Sequence, residues 1–335
     1  MAKFLIIRLS SIGDIVLTTP VIRCLKEQAK DSEIHYLVKK QFLPVISANP
    51  FIDKFHCLDD NLSSVIKNIK EEHYDYIIDL HNNIRSCIIK FRTGIKTFTV
   101  NKINFRKWLI VNFKINWLPE LHMVDRYMQT VKSFGVQNDG KGLDYFISQE
   151  EEVDLNSLPV SCRNGYIALV TGGKHATKQI PADNIIALCR LLHFPVMLLG
   201  GAEERPVGKL IAESAVENIF NACGNYNINQ SAYLVKKALL LITTDTGLMH
   251  IGAAFKKIIL SVWGNTIPQF GMYPYMPHSS SKIFEVKDLY CRPCSKIGYK
   301  KCPRKHFRCM KDQDFKKLAE TANKLLESSI LEKKG

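Results

Sequence analysis

Short runs of apolar and β-branched residues recur along this chain, each followed by a helical or turn segment, and that alternation constrains the fold more than any other feature. Phe4 to Arg8, Ile34 to Val38, Lys54 to Leu58, Tyr76 to Leu80 and Thr97 to Val100 predict five strands in the first half. Ile167 to Val170, Val196 to Leu199, Ile219 to Ala222, Leu240 to Thr243 and Ile258 to Val262 predict five more. Strand and crossover in that rhythm make a parallel sheet covered by helices. A chain of 335 residues has room for two such domains. The acidic, weakly periodic stretch from Ser148 to Asn164, containing Pro159, reads as the linker. The expected organisation is an N-terminal domain over 1–155, a C-terminal domain over 156–312, and an amphipathic helix over 313–335 packing back toward the first domain.

The formal net charge of +14 calls for an anionic partner: nucleic acid, an acidic lipid surface or a phosphorylated substrate. Apolar runs such as Phe194 to Leu199 are far shorter than the roughly 20 residues of a spanning helix. Met1-Ala2-Lys3 leads straight into a strand without a small-residue cleavage site, so a cytoplasmic protein is expected. In that compartment the ten cysteines are mostly reduced thiols. Six are scattered. Cys291, Cys294, Cys302 and Cys309 cluster, and their spacing fits either a structural zinc site or unligated thiols or a disulfide.

Three strand ends in the second half carry phosphate chemistry. Leu240 to Thr243 runs into Asp245-Thr246-Gly247 and a small-residue helix pattern, where unpaired N–H groups and the helix dipole favour an anion. Asp245 is the expected N-cap, Thr246 and Gly247 the backbone donors, and His250 shares their face one turn on. The plainer alternative is a capped helix with a surface histidine. After Val170, the residues Thr171 to Lys178 offer hydroxyls, glycines and lysines, without the P-loop pattern. After Leu199, Glu203 and Glu204 are suited to accept hydrogen bonds from ribose hydroxyls. Because ligands of open α/β sheets bind at the carboxyl ends of strands, the three together indicate a nucleotide site. In the first half, Asp14 follows Gly13 at the start of a helix expected from Ile15 to about Lys30. A carboxylate there serves either as a general base or simply as a helix cap.

Phe4-Leu-Ile-Ile-Arg-Leu-Ser-Ser-Ile-Gly-Asp-Ile-Val-Leu-Thr-Thr-Pro20, Thr177-Lys-Gln-Ile-Pro181 and Asp245-Thr-Gly-Leu-Met-His-Ile-Gly-Ala-Ala254 together resemble the family 9 glycosyltransferases, the ADP-heptose:lipopolysaccharide heptosyltransferases. Asp79 to Ser86 and His122 to Tyr127 also resemble family segments, and the likeness runs from residue 1 to about 310. The resemblance implies the GT-B fold, two Rossmann-like α/β domains with parallel sheets facing across a cleft. It implies Asp14 as catalytic base and Lys178, Thr171, Thr177, Thr246 and Gly247 on the donor phosphates. Glu203 or Glu204 would hold the ribose, with His250 near the phosphates. The implied reaction is inverting transfer of heptose from ADP-heptose to the inner core of lipopolysaccharide by single displacement, with no cofactor or metal required. The sequence agrees, since it lacks a clear Asp-x-Asp for holding a divalent ion against the diphosphate. The chain departs from the family pattern at Gln179-Ile180-Pro181 and at Gly252.

On the acceptor side, Ser11, Gly13, Arg85, Arg106 and Lys107 are the expected contacts to a phosphorylated glycolipid. Basic and aromatic residues alternate from Lys96 to Lys114. They form either a surface helix with its aromatics turned inward, or a basic rim against the acceptor or the anionic inner leaflet, which would make the protein peripheral to the inner membrane. Two alternatives stand beside this reading: another nucleotide sugar on the same fold, or a non-catalytic binder of nucleotide sugars or nucleic acid. No RNA or DNA motif is present, so nucleic acid is not the expected partner.

Overall fold

The computed structural model describes residues 2–59, 61–214 and 218–332. The chain forms two compact units, one of residues up to Asn104 with Glu120–Phe146, the other of Phe105–Pro119 with Ile147 onward. The segment 105–119 thus belongs to the second unit, and the boundary falls before the acidic stretch, which itself holds short helical turns at Gln149–Glu151 and Leu155–Ser157.

The first unit is built on β1 (Lys3–Ile7), β2 (Glu33–Lys39), β3 (Lys54–Leu58), β4 (Tyr76–Asp79) and β5 (Thr97–Thr99), in the order β3-β2-β1-β4-β5. Every pairing is parallel. β1 lies in the middle because Phe4 to Ile7 is apolar on both faces, and all four residues are buried. Each such side chain contributes about 1.5–3 kcal/mol on burial. The single helix expected after Asp14 is instead two: α1 (Ile12–Val16) and α2 (Thr19–Gln28). Pro20 cannot donate within a continuous helix and sits in the first turn of α2. Thr18 and Thr19 hydroxyls take the Ile15 and Val16 carbonyls freed at the break. The unit also contains α3 (Leu62–Glu71) and α4 (Ile84–Thr93), the latter opened by a reciprocal Asn83 and Ser86 cap and closed by Gly94 at φ 68°.

The second unit holds α5, which spans Asn104–Phe113 and lies in it from Phe105 on. Its sheet comprises β6 (Ile167–Val170), β7 (Val196–Leu199), β8 (Ile219–Asn221), β9 (Leu240–Thr244), β10 (Ile259–Trp263) and β11 (Lys282–Glu285), ordered β11-β10-β9-β6-β7-β8 and parallel throughout. The terminal helix, Phe315–Glu332, buries Phe315, Leu318, Ala319, Ala322 and Leu326 in this unit's own core.

Both sheets reverse their direction of growth once, between β1 and β4 in the first and between β6 and β9 in the second. Such a switch point opens a crevice at the carboxyl ends of the two strands that flank it.

Candidate active site

At the second unit's switch point, loops from β6, β7 and β9 converge. A Cβ on Gly172 would lie 2.8 Å from Glu204 Cδ, and one on Gly173 would lie 3.8 Å from Thr246 Cγ2. Lys178 Nζ stands 2.5 Å from Asp245 Oδ2, which also accepts from Thr266 Oγ1 at 3.2 Å. Asp245 is therefore not the N-cap expected of it, because the lysine charge holds its carboxylate. The cap of the helix Gly247–Ala254 is Thr246, whose hydroxyl faces Thr243 Oγ1 at 3.1 Å and caps nothing. Thr246 leaves this helix start without a side-chain cap among the described residues, and its first N–H groups are suited to an anion beside a cation.

The first unit's switch point carries a different set. Arg8, at the end of β1, is buried and ion-pairs through Nη2 with Asp14 Oδ1 at 2.7 Å. Its other donors reach Ser10 O at 2.7 Å, Leu80 O at 2.6 Å and Tyr127 Oη at 2.8 Å. Asp14 Oδ2 takes the Ser11 hydroxyl at 2.8 Å and the Ser11 N–H at 3.3 Å. Asp14 is thus the third residue of α1 and closes a capping box, while a quarter of its side chain stays exposed. At the end of β4, buried Asp79 pairs with Lys90 at 2.8 Å and accepts from the backbone N–H groups of His81 and Asn82. Burial, then the Arg8 charge, pushes the His81 imidazole down to about 3, so it stays neutral.

Residues 62–304 match the sequence profile of glycosyltransferase family 9 (heptosyltransferase). The chain belongs to this family. This family 9 glycosyltransferase is 24% identical over 289 residues to lipopolysaccharide heptosyltransferase 1 of Campylobacter coli, covering 79% of this chain and 84% of the relative. In fold it is similar to the family 9 glycosyl transferase of Veillonella parvula, with a TM-score of 0.78, 21% identity and 98% of each chain covered. It is also similar to the Escherichia coli ADP-heptose heptosyltransferase II, with a TM-score of 0.73, 19% identity, and 98% and 99% of the two chains covered. The fold is GT-B and the protein is a glycosyltransferase.

Within this glycosyltransferase, Thr171, Lys178, Glu204, Asp245, Thr246 and Gly247 sit at one switch point, while Ser11, Gly13 and Asp14 sit at the other. Two expected phosphate hydroxyls are engaged elsewhere. Thr177 Oγ1 accepts from Tyr299 N at 2.8 Å and anchors a neighbouring loop. Thr171 Oγ1 bonds Leu199 O at 3.2 Å and Cys223 Sγ at 3.3 Å, tying β6 to its neighbour. Of the two glutamates, Glu203 is exposed, whereas Glu204 Oε2 accepts from Gly201 N at 2.8 Å and lies over Gly172. His250 is buried and not on a surface. Arg85 is exposed on the first turn of α4. Arg106 and Lys107 fall in the second unit, bonded to Trp117 O at 3.3 Å and lying over the Phe270 ring. They therefore lie outside the first unit, although the expected N-terminal domain ran to residue 155.

Arg8 was overlooked from sequence, although an arginine closing a wholly apolar strand must find a buried counter-charge. Asn265, after β10, is a second omission: it is 1% exposed, and neither its Nδ2 nor its Oδ1 has a hydrogen-bond partner among the described residues.

The four clustered cysteines are free. Cys291 Sγ lies 3.7 Å from His306 Nε2, and all four thiols sit close enough that their charges would repel. Burial pushes the Cys309 thiol up to about 12. Among the described residues, only His35, His56 and Glu72 bring three donor atoms within 4.8 Å of one another. Those donors are engaged: Tyr74 Oη bridges the two imidazoles at 2.7 Å each, and Lys3 and Lys54 hold Glu72.

Proposed function

We propose that this chain transfers heptose from ADP-heptose, with inversion, to a hydroxyl of the lipopolysaccharide inner core. The observation that carries the reading is the convergence of Lys178 with the uncapped helix start at Thr246 and Gly247, in a chain of the heptosyltransferase family. The diphosphate of the donor is read onto these groups and the ribose onto Glu204. As the anomeric carbon to phosphate bond breaks, negative charge grows on the departing ADP, and a fixed cation with oriented N–H groups stabilises it more than the ground state. The acceptor belongs to the first unit, where Asp14 takes the proton of the attacking hydroxyl. Arg8 holds that carboxylate in one orientation, so little reorganisation accompanies the transfer. The acceptor's lipid part makes the protein peripheral to the cytoplasmic face of the inner membrane. No helix among the described residues is long and apolar enough to cross it.

A second reading, a different nucleotide sugar on the same site, is favoured by Gln179. It lies at a departure from the family pattern and donates to Gly173 O at 2.8 Å within the phosphate loop. Calorimetry with ADP, UDP and GDP separates the two. Selective ADP binding, with turnover of ADP-heptose that is lost in Asp14→Asn, supports heptose transfer. Preference for UDP or GDP rejects it in favour of the second reading.

A further inference from the structure

Two stretches of the second unit contain no carboxylate. Between Phe105 and Pro119 the charged residues are Arg106, Lys107 and Lys114, and from Leu289 to Lys311 eight lysines and arginines occur without one acid. The stretches touch, because Lys114 Nζ donates to Pro293 O at 2.7 Å. Along the first, the aromatic rings turn outward: Trp108, Phe113 and Trp117 are 50%, 59% and 62% exposed. Only Ile110 is buried there, against Ile267 and Phe270. The inward-facing alternative for these aromatics therefore fails. Along the second, Tyr290 and Ile297 are also exposed. Arg292 and Arg308 pair with Glu285 and Asp312, whereas Lys296, Lys300, Lys301, Arg304 and Lys305 form no ion pair among the described residues.

We propose that this face docks on an anionic phospholipid surface. Exposed indole and phenol rings ringed by cations match the level of a bilayer where ring bodies enter the acyl boundary and phosphates meet lysine and arginine. A protein interface would be depleted of lysine at its centre. The face also adjoins the donor loop, since Tyr299 N donates to Thr177 Oγ1, one residue before Lys178. A protein seated this way presents its donor loop close to the lipid surface. The inference deepens the reading of a membrane-lipid acceptor and rests on it for its purpose.

The chain has three tryptophans, and Trp263 is buried, so a change in tryptophan emission on exposure to lipid reports on Trp108 and Trp117. The full chain should co-sediment with phosphatidylcholine vesicles containing phosphatidylglycerol, with a blue-shifted emission, and should leave pure phosphatidylcholine vesicles unbound. High salt should release it. Each of the double variants Phe113→Ser/Trp117→Ser and Lys300→Glu/Lys301→Glu should lower the partition coefficient about tenfold or more while keeping wild-type ADP affinity, which shows that they fold. Failure to bind anionic vesicles at low salt overturns the proposal, as does binding unchanged in both variants. So do oligonucleotide binding without vesicle binding, and self-association that covers the tryptophans. A chain that ignores vesicles yet glycosylates detergent-dispersed acceptor sinks the docking face alone. One that docks but binds no nucleotide sinks the heptosyltransferase reading alone.

Discussion

The guanidinium of Arg8 lies 2.7 Å from the Asp14 carboxylate, and every other bond it makes is to a group of the same unit: Ser10 O, Leu80 O and Tyr127 Oη. A buried cation so fixed aims the one partly exposed acid of the first switch point. Asp14→Asn keeps the shape and removes the basicity, so turnover should fall by roughly 10² to 10⁴ with ADP affinity unchanged. Arg8→Met removes the cation that orients Asp14 and leaves the buried acceptors it served, such as Leu80 O, without that donor, so it should cost about 1–3 kcal/mol of stability as well as turnover. Kinetics and denaturant titration of both variants check this. Near wild-type turnover in Asp14→Asn would remove it from the base role.

Lys178 and Asp245 are held in the same manner beside the helix start at Thr246. Charge-assisted bonds to phosphate are worth about 1.5–3 kcal/mol, so Lys178→Ala should weaken ADP binding roughly 10- to 100-fold. Asp245→Asn removes a repulsive charge together with the anchor of Lys178. It should change ADP affinity less and turnover more. Because the two share one interaction, the double variant should be non-additive. Wild-type ADP affinity in Lys178→Ala would place the diphosphate elsewhere.

The strands Lys54–Leu58, Ile167–Val170 and Val196–Leu199 were legible end to end, because short apolar runs between turn residues have no other use in a parallel sheet. β11 was not: its Lys282 and Ile283 are exposed at the sheet edge, so no hydrophobic pattern marks it. The donor motifs were legible as a set, but their individual bonds were not. Nothing local reveals that Lys178 lies against Asp245, which displaces the cap by one residue, or that Thr177 is taken by a loop more than a hundred residues away. The membership of 105–119 in the second unit likewise depends on contacts such as Ile110 with Phe270. Gly252, a departure from the family pattern, gains a reason only in three dimensions. A Cβ there would meet Leu241 Cδ2 at 2.5 Å.

Asn265 separates a folding role from a binding role. If Asn265 serves the fold, Asn265→Ala should be harmful, whereas a buried amide with no hydrogen-bond partner costs a fold about 1–3 kcal/mol that the alanine removes. If instead it is reserved for the donor, the same variant should melt at or above the wild-type temperature while KM for the sugar nucleotide rises severalfold. Its neighbour Thr266, which bonds Asp245, favours the second outcome. A lower melting temperature with unchanged KM would refute it.

Acid should weaken the first unit through its buried histidines. Burial, then the neighbouring His35 charge, pushes His56 down to about 4; His81 is pushed down to about 3, and burial also lowers His35. His56 and His81 stay largely neutral in the fold above those values and His35 takes up its proton at a lower pH than usual, whereas in the unfolded chain all three gain protons near pH 6.5. Between about pH 6.5 and 4 the unfolded state therefore binds more protons, and stability rises with pH across that window. It is fully present above the window and lost as pH falls through it. For His56 alone the span is on the order of 3 kcal/mol. Glu72, held down to about 2 by its bonds to Lys3 and Lys54, contributes stability that is lost only below the usual carboxylate range, outside this window. The urea midpoint should fall steadily from about pH 7 to pH 4.5, and His56→Gln, which cannot charge, should flatten part of that slope. A midpoint that does not move over this range would mean that these imidazoles take up protons in the fold as readily as in the unfolded chain.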